Sequence, residues 1–437
     1  MAKPSIPGGG SKMTESNALH NGNHTSRTVT AKALGFNIRL ALVSLLVAML
    51  SAGPLWADQQ EALDVEDLKA FSEAWGRIKN NYIVPVNDRV LLEAAIRGMV
   101  NELDRHSDWL NEAEFQRLED QALGQFGGLG IRIAIQPDTL QIVEVRPSSP
   151  AALAGLEAGD EIIEIDGQTI DGNSQQSALS LRGPVDSVVE LAVRRTDAPE
   201  LRRVELTRAI IKQDSVFWRS LPDAQRLIRI DNFQQTTASE LDRALEAMLA
   251  DDTSTGIVLD LRNNPGGMVQ AAVAVADRFL DDGLIVQSNA RDSAESRRYQ
   301  ANPGQVLEEI PIAILINKRT ASSAEILAAA LRDHGRAIVI GEPSYGKGSV
   351  QTIWPLSNGS AIRLTSARYR TPNGLNLEGA GVIPDIRIPY EPDRLEDAAL
   401  VRAQLWLRER MLDKEPAIDA SLIGHSTSDL SDTDSPE

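Results

Sequence analysis

The chain has no cysteine and only five histidines among its 437 residues. Without cysteine there are no disulfides, no thiolate metal ligands and no cysteine nucleophile. Two histidines, His20 and His24, belong to a polar leader, and His425 belongs to an acidic tail. Because too few imidazoles remain for a typical metal centre, we expect neither a metal site nor a cofactor.

Positive charge is also in deficit, with a formal net charge of −18 at pH 7. An acidic surface repels phosphate backbones and anionic lipids, which argues against nucleic acid as a partner and against general binding to anionic membranes. The composition, with 42% hydrophobic and 24% charged residues, is that of a globular protein. The length is sufficient for two or three domains.

Long hydrophobic runs are scarce as well. The run LALVSLLVAML at residues 40–50 is too short for a comfortable membrane span, and SAGPLWAD follows it. This pattern is typical of a secretory signal peptide. We therefore predict a signal peptide over residues 1–57, cleaved after Ala57, and export to the periplasm. If the signal is not cleaved, it anchors the protein to the inner membrane.

The motif GxSxG is absent, so no nucleophile elbow supports a histidine triad. Instead, Ser322 stands where the strand-like run PIAILIN gives way to the helical run AEILAAALRDH. A side chain at such a corner is exposed, and the helix directs N–H groups and a positive dipole end towards it. Taken alone, the spacing of Ser322 and Glu325 favours a simple capping box. His334 lies roughly 18 Å further along the same helix and is too distant to be a base.

Lys347, within YGKGS, is the alternative base. Its pKa would have to fall from about 10.4 towards 7–8 through desolvation. If the run VQTIWPL extends as a strand from Lys347, Gln351 projects from the same face and can orient the amine without a carboxylate. Taken alone, the sequence around Lys347 favours an exposed turn residue.

Two other motifs share this lysine. The run GEPSYGKG at residues 341–348 approaches a P-loop, but Gly348 replaces the residue that binds magnesium, and a β-rich run follows where a helix is required. Ser344 and Lys347 also match the Ser-x-x-Lys pattern of penicillin-binding proteins, which works on a helical turn. Because Pro343 and Gly346 disfavour such a turn, we expect neither site.

Residues 58–122 show helical periodicity and no visible chemistry, and His106 is expected to cap a helix C-terminus. Short alternating strands and turn glycines then fill residues 123–210. There, GGLGI and SPAALAGLEAGDEIIEIDG resemble the PDZ domain. The resemblance implies that Gly128, Leu129, Gly130 and Ile131 form a carboxylate-binding loop, beside a strand edge that accepts a peptide. Without that signature, the glycines merely make a tight turn.

Residues 211–392 alternate apolar strands with helices, which predicts an α/β core with a largely parallel sheet. Two strand ends, at Arg262 and Asn317, open into the turns NNPGG and TASSA. Ligands bind at the carboxyl ends of such strands, so we expect the two turns to face one cleft. Residues 393–437 add an amphipathic helix and an acidic tail that we expect to be disordered.

Several ordered motifs resemble the C-terminal processing (tail-specific) family of serine peptidases: DLRNNPGG, TASSAEILAAALRDHGRA, GEPSYGKGSVQ and LTSARYRTPNG. The resemblance implies a multidomain α+β protein with an N-terminal helical arm, a PDZ domain and a crotonase-like α/β protease core. It also implies Ser322 as the nucleophile, Lys347 as the general base and Gln351 as the residue that orients the lysine.

Further roles follow from the resemblance alone. It implies an oxyanion hole formed by the N–H group of Gly266 or Gly267 together with that of Ser323. Arg182 matches a family residue that senses bound peptide, although VDS replaces the glycine–threonine that usually follows. The segment LDRHS lacks a proline that is common at that position, which we expect to matter little.

The implied activity is that of an endopeptidase that cleaves exported proteins near or from their C-termini, with the tail captured or sensed by the PDZ domain. The implied partners are proteins and peptides with exposed C-termini, an adaptor lipoprotein or other regulator, and a second copy in a homodimer. The alternative from another class is a catalytically silent periplasmic PDZ scaffold. The intact set of Ser322, Lys347 and Gln351 argues against that alternative.

Overall fold

The computed structural model describes residues 64–170, 172, 174–250, 254–389 and 397–412. The predicted signal peptide and the acidic tail from residue 413 onwards lie outside these ranges, so both stay predictions. Within the described ranges, no helix has the length and apolar character needed to cross a membrane. The chain divides into two compact units, residues 1–86 and 87–437.

In the first unit, the structure describes one helix, α1 (Val65–Asn81), where the periodicity predicts one. Asp64 caps its N-terminus by accepting a hydrogen bond from the N–H group of Glu66 at 3.0 Å. None of its residues is buried, and Leu68 and Phe71 are both about half exposed. The helix is therefore amphipathic with its apolar face uncovered within this unit.

The second unit begins with α2 (Asp88–Asn101), β1 (Asp108–Leu110) and α3 (Glu112–Ala122). A reciprocal capping box starts α3: Asn111 and Glu114 each accept the backbone N–H group of the other at 2.9 Å. The periodicity predicts helices alone in this region, so β1 is an addition. It pairs with the strand at residues 361–370 of the α/β core.

A β-rich module follows. Its elements are β2 (Gln125–Gly128), β3 (Ile131–Ile135), β4 (Leu140–Val145), α4 (Pro150–Leu153), β5 (Glu161–Ile165), β6 (Gln168–Thr169), α5 (Ser174–Ser180), β7 (Val188–Arg195), β8 (Ala198–Thr207) and β9 (Ala209–Lys212). The main sheet has the antiparallel order β3-β4-β5-β7-β8, with β6 on β5, whereas β2 and β9 pair with each other. Since β3 is an edge strand, its outer backbone edge is open to an added peptide strand.

The α/β core comprises β10 (Val216–Ser220), β11 (Gln225–Ile230), α6 (Thr237–Leu249), β12 (Gly256–Asp260), α7 (Val269–Asp277), β13 (Leu284–Ala290), β14 (Arg297–Gln300), β15 (Ile312–Ile316), α8 (Ser323–Asp333), β16 (Ala337–Gly341), β17 (Ser349–Pro355), β18 (Ala361–Arg370), β19 (Ile386–Arg387) and α9 (Ala398–Leu412). Its main sheet has the order β10-β11-β12-β15-β16-β19. All its pairings are parallel except that of β10 with β11. The predicted largely parallel sheet is confirmed.

Both faces of this sheet are covered at its centre, which explains why β15 is apolar at every position. On β15, Ile312, Ile314 and Ile316 join the hydrophobic cluster that includes α6, α7 and α8. The alternate side chains, Ala313 and Leu315, join the cluster of α9. Each fully buried isoleucine or leucine contributes about 1.5–3 kcal/mol. This packing fixes the strand ends from which the site is built.

A second, antiparallel sheet has the order β1-β18-β13-β14, with β17 also on β18. In it, Asp108 pairs with Arg363 and Leu110 pairs with Ala361. The strand β1 therefore brings the N-terminal segment against β18, beside the strand that carries Gln351.

Candidate active site

Ser322 lies between β15 and α8, immediately before the first residue of the helix, and is partly exposed. Its backbone has φ 56° and ψ −120°. A non-glycine residue held in such a region costs about 1–3 kcal/mol, and this kind of strain clusters at functional sites. The hydroxyl is thus accessible at the positive end of a buried helix, as the sequence predicts.

The carboxylate of Glu325 connects this turn to the lysine loop. Its Oε2 accepts the backbone N–H groups of Ser322 at 2.7 Å and of Lys347 at 2.9 Å. Its Oε1 accepts the N–H group of Gly346 at 2.6 Å and the hydroxyl of Ser344 at 2.5 Å. Glu325 is fully buried. The glutamate half of the predicted capping box is present, and the same carboxylate also binds a distant loop.

Lys347 lies in the loop between β16 and β17 and is partly buried. Burial lowers the pKa of its ammonium group, and the positive charge of Arg363 lowers that pKa further, whereas Glu378 and Glu325 oppose the change. A lowered pKa makes the neutral amine, which a general base requires, more available. A strand follows this loop, so neither the helix of a P-loop nor the helical turn of the Ser-x-x-Lys pattern is present.

The strand on which the predicted common face of Lys347 and Gln351 depends does not extend to Lys347. The strand β17 begins at Ser349, so Lys347 lies outside it. The register with β18 also shifts between Val350 and Gln351, and such an irregularity breaks the two-residue alternation. Gln351 instead donates a hydrogen bond from Nε2 to the hydroxyl of Thr365 at 2.9 Å.

The three predicted catalytic residues come from adjoining segments, but their side chains are not directly bonded. Within the described ranges, no hydrogen bond joins the Ser322 hydroxyl, the Lys347 amine and the Gln351 amide to one another. The Oε1 atom of Gln351 is buried and has no hydrogen-bond partner there. Catalytic hydrogen bonds often form fully only when substrate is bound.

The glycine turn after β12 packs directly on the serine. Gly266 has φ 100°, and a Cβ atom there would lie 2.7 Å from the Cβ atom of Ser322. The fully buried Asn264 holds this turn, since its Oδ1 accepts the N–H group of Gly266 and its Nδ2 donates to the carbonyl of Ile230, both at 2.8 Å. Only glycine fits so close to the serine in this conformation.

Two of the predicted oxyanion donors remain unpaired. The hydroxyl of Ser323 donates to the carbonyl of Gly267 at 2.8 Å, which fixes the turn against the start of α8. In the part of the chain that the structure describes, the N–H groups of Gly267 and Ser323 have no acceptor, whereas that of Gly266 binds Asn264. Gly267 and Ser323 are therefore the pair available to bind an oxyanion.

In the β-rich module, the predicted carboxylate loop connects β2 to the edge strand β3. The carbonyls of Leu129 and Gly130 accept hydrogen bonds from Ala151 at 3.0 Å and Arg146 at 2.8 Å. Their own N–H groups have no acceptor within the described residues. Gly130 has φ 76°, and a Cβ atom there would lie 2.2 Å from the Cβ atom of Ser149. The loop thus presents N–H groups where only glycine can make the turn.

The sequence model of Peptidase family S41 matches residues 226–388, and that of the PDZ domain matches residues 141–195. The carboxy-terminal-processing protease of Bartonella bacilliformis is 38% identical over 355 residues, which cover 80% of this chain and 82% of that protein. This chain belongs to the C-terminal processing family of serine peptidases. The carboxyl-terminal-processing protease of Picosynechococcus sp. is 32% identical over 372 residues, covering 80% of this chain and 89% of that protein. A solved photosystem II D1 C-terminal processing protease is 29% identical, covers 78% of this chain and 97% of its own, and has a TM-score of 0.45.

Membership in this family confirms the predicted fold class, with a PDZ domain and an S41 protease core in a mixed helix and sheet protein. The chain is a serine peptidase, and the silent-scaffold alternative is not favoured. The two matched ranges fall within the predicted segments 123–210 and 211–392.

Arg182 follows α5 of the PDZ domain and is exposed. Its guanidinium group stacks over the ring of Phe126 on β2, 4.3 Å from the ring centroid. Arg182 therefore sits at the strand that enters the PDZ domain. Its predicted role in sensing peptide stays a prediction.

Sequence reasoning missed the turn at residues 104–107. The helix α2 ends at Asn101, with the N–H group of Glu102 at its cap, so the predicted capping role of His106 is wrong. Burial, together with the nearby charges of Lys347 and Arg105, lowers the pKa of the His106 imidazole. This turn therefore lies near the lysine, and no local spacing in the sequence indicates that proximity.

Proposed function

We propose that this peptidase is an endopeptidase that cleaves exported proteins near or from their C-termini, with Ser322 as nucleophile and Lys347 as general base. One observation carries the proposal: a single buried carboxylate, that of Glu325, binds the backbones of both residues. It places an accessible, strained serine beside a loop lysine whose pKa is lowered by burial.

In this mechanism, the neutral amine of Lys347 takes the proton from the Ser322 hydroxyl while Oγ attacks the scissile carbonyl carbon. The N–H groups of Gly267 and Ser323 bind the resulting oxyanion, and such a donor contributes about 3–4 kcal/mol. The Lys347 ammonium then protonates the leaving amine as the peptide C–N bond breaks. Lys347 next deprotonates a water molecule that attacks the acyl-enzyme, which releases the new carboxyl terminus and restores Ser322.

Gln351 orients Lys347 in this proposal. The free Oε1 atom of Gln351 supports this role, because it is a buried acceptor without a donor among the described residues. An amide acceptor can orient the amine without the negative charge of a carboxylate, which would raise the lysine pKa.

Substrate tails bind to the PDZ domain in this proposal. The unpaired N–H groups of Leu129 and Gly130 offer a site for a terminal carboxylate, and β3 offers an open strand edge. Export to the periplasm, an adaptor or regulator, and a homodimer complete the proposal. The first rests on the leader pattern at residues 40–50, and the others rest on the family resemblance.

The test uses the purified protein and a substrate protein with an unstructured, apolar C-terminal tail. We expect the wild type to shorten the tail, Ser322→Ala and Lys347→Ala to lose this activity, and Lys318→Ala to retain it. Lys318 is a suitable control because its side chain is 78% exposed and its ammonium group pairs with Glu342. If the wild type and both site variants leave the tail equally intact, the scaffold alternative replaces the peptidase proposal.

The role of the PDZ domain is tested with two tail peptides that differ only in a free or an amidated C-terminus. Loss of a charged hydrogen-bonded group costs about 1.5–3 kcal/mol, so amidation should raise KM on the order of tenfold or more with little change in kcat. Equal KM values for the two peptides would exclude capture of the terminal carboxylate.

A further inference from the structure

Residues 233–235 lie between β11 and α6, and their backbone holds the glycine turn of the site. The N–H group of Phe233 donates to the carbonyl of Gly266 at 2.9 Å, and the carbonyl of Phe233 accepts the N–H group of Met268 at 2.7 Å. A Cβ atom at Gly267 would lie 2.1 Å from the carbonyl oxygen of Phe233. The turn therefore packs directly on this backbone, and no side chain fits between the two.

The first of these hydrogen bonds fixes the peptide group that joins Gly266 to Gly267. A peptide group is planar and trans, so its carbonyl oxygen and its N–H hydrogen point to opposite sides. Because Phe233 holds the carbonyl of Gly266, the N–H group of Gly267 is directed away from Phe233, and it has no acceptor among the described residues. The proposed mechanism assigns this N–H group to the oxyanion, so the direction of the donor depends on the bond to Phe233.

The same three residues are attached to both segments that connect the PDZ domain to the rest of the chain. At the entry, the N–H group of Gln235 donates to the carbonyl of Ala122, the last residue of α3, at 2.8 Å. At the exit, Nε2 of Gln234 donates to the carbonyl of Gln213, the first residue after β9. Gln213 also donates its N–H group to the carbonyl of Gly124 at 2.9 Å, which joins the exit to the entry.

The side chain of Gln234 contacts both of these segments and is almost completely buried, with 1% of its surface exposed. It fills the space over Gly124, since a Cβ atom there would lie 2.6 Å from Cδ of Gln234. Its own N–H group donates to the hydroxyl of Thr237 at 2.9 Å, at the start of α6. In such close packing, Gln234 cannot move without moving its neighbours.

We propose that Gln234 is a positioning residue for the oxyanion hole. It acts through the adjoining Phe233, because fixing the backbone of residues 233–235 also fixes the peptide group that carries the Gly267 N–H group. The two connections of the PDZ domain thereby support the oxyanion hole, in addition to the proposed binding of tails by that domain. The inference rests on the proposed assignment of Gly267 as an oxyanion donor, and it extends that site to the junction with the PDZ domain.

The first pair of variants, made in the full chain, compares two buried glutamines. Gln234→Met keeps the length of the side chain but removes the amide, and Gln225→Met is its matched control. Gln225 is also 1% exposed, and its Nε2 donates to the carbonyl of Gln404 at 3.0 Å. It lies at the start of β11, beside the start of β12, whereas the glycine turn follows the end of β12.

The second pair perturbs the junction from the side of the PDZ domain. Gly124→Ala places a Cβ atom against the side chain of Gln234. Gly167→Ala is its matched control, because Gly167 has φ 73°, close to the 69° of Gly124, but a Cβ atom there would meet no atom within 4 Å.

For each variant, kcat and KM are measured against pH with two tail peptides that differ only in a free or an amidated C-terminus. The Ki of a peptide aldehyde is measured alongside. In the inhibited enzyme, Ser322 Oγ adds to the aldehyde carbon while its proton passes to Lys347. The oxygen of this adduct takes the position of the oxyanion, so the aldehyde reports on the oxyanion donors.

For Gln234→Met and Gly124→Ala we expect kcat to fall on the order of tenfold or more with KM nearly unchanged, since an oxyanion donor acts in the transition state. The Ki of the aldehyde should rise by a similar factor. The loss should be equal for the free and the amidated peptide. The pH at which the rate rises should stay in place, because the hydrogen bonds of Gln234 do not involve Lys347. Both control variants should keep the wild-type values.

Wild-type values of kcat and Ki in Gln234→Met would overturn the inference. A loss of kcat with an unchanged Ki, or an equal loss in Gln225→Met, would also overturn it, because either result would indicate a general structural role. A loss confined to the free-acid peptide would do the same, since it would indicate tail capture alone. If Gln234→Met does not fold, the same measurements on Gly124→Ala decide the question. Failure of the proposed function is distinct, because Ser322→Ala would then be as active as wild type.

Discussion

Replacing Glu325 with glutamine should destabilise the protease core and misplace both catalytic residues. The carboxylate accepts from three backbone N–H groups and one hydroxyl while fully buried. The amide has only one oxygen. If its NH₂ group replaces Oε1, the hydroxyl of Ser344 can rotate to accept, but the N–H group of Gly346 loses its acceptor. If the NH₂ group replaces Oε2 instead, the N–H groups of Ser322 and Lys347 both lose their acceptor.

The first orientation of the amide loses less free energy than the second, so it determines the expected loss of stability. One orphaned buried N–H group costs about 1–3 kcal/mol, and two further hydrogen bonds change from a charged to a neutral acceptor at about 1 kcal/mol each. We therefore expect Glu325→Gln to lose about 3–5 kcal/mol of unfolding free energy. Because Ser322 and Lys347 are both held by this group, a shift of about 1 Å should lower kcat about a hundredfold.

The assay is urea unfolding combined with kcat measured well below the transition. Glu342→Gln is the matched control, since among the described residues the Glu342 carboxylate has one partner, the exposed Lys318 at 3.1 Å, and accepts no backbone N–H group. If Glu325→Gln keeps an unfolding free energy and a kcat as close to the wild-type values as Glu342→Gln does, the reasoning is refuted.

Three further predictions concern Gly266, Arg363 and Asp104. Gly266→Ala should lower kcat strongly with little change in KM, because its Cβ atom would lie 2.7 Å from that of Ser322. Arg363→Gln should shift the rise of kcat/KM with pH to higher pH, because the positive charge of Arg363 lowers the pKa of Lys347. Asp104→Asn should lower the unfolding free energy above about pH 4, the ordinary range of an aspartate, and this deficit should vanish as pH falls towards about 2, the folded-state pKa.

Each of these has a control and a contrary outcome. Gly374→Ala shares the positive φ but meets no atom within 4 Å, so equal losses of kcat in the two alanine variants would contradict a clash with the serine. If kcat/KM rises at the same pH in Arg363→Gln as in the wild type, that result would contradict a titrating lysine base. An Asp104→Asn deficit that persists unchanged at pH 2 would show that its carboxylate is not the stabilising group.

The parallel sheet was predictable because the residue types within each strand, and in the turn that follows it, indicate where the strand lies. The strands β12 and β15 are buried at every position, and all their residues but Gly256 and Asp260 are apolar, which is typical of strands covered on both faces. Glycine or serine turns follow both strands, so the corner position of Ser322 and the cleft with the glycine turn were also predictable. Local composition thus placed the nucleophile and the turn at one edge of the sheet.

The position of Lys347 relative to Gln351 was less predictable, because the pairing of β17 with the distant strand β18 determines where β17 begins and in which register it runs. The start of β17 at Ser349 and the irregularity before Gln351 both depend on β18, and no residue type near Lys347 marks them. The spacing of Glu325 from Ser322 correctly predicted a cap. It did not reveal that the same carboxylate binds the lysine loop, since that contact exists only after folding.

The site therefore consists of two parts with different supports. The nucleophile and the oxyanion donors follow β12 and β15 and are held by Asn264 and Glu325, whereas Gln351 lies in the antiparallel sheet that β1 joins to the N-terminal segment. Perturbing the first support at Asn264 should lower the rate without moving its pH dependence, because the side chain of Asn264 binds Gly266 and Ile230 and not the lysine loop. Glu325 is different, since it also binds the backbone of Lys347 and raises the lysine pKa. Perturbing the second should change both the rate and the pH dependence. This separation follows from the topology, because the two supports belong to different sheets.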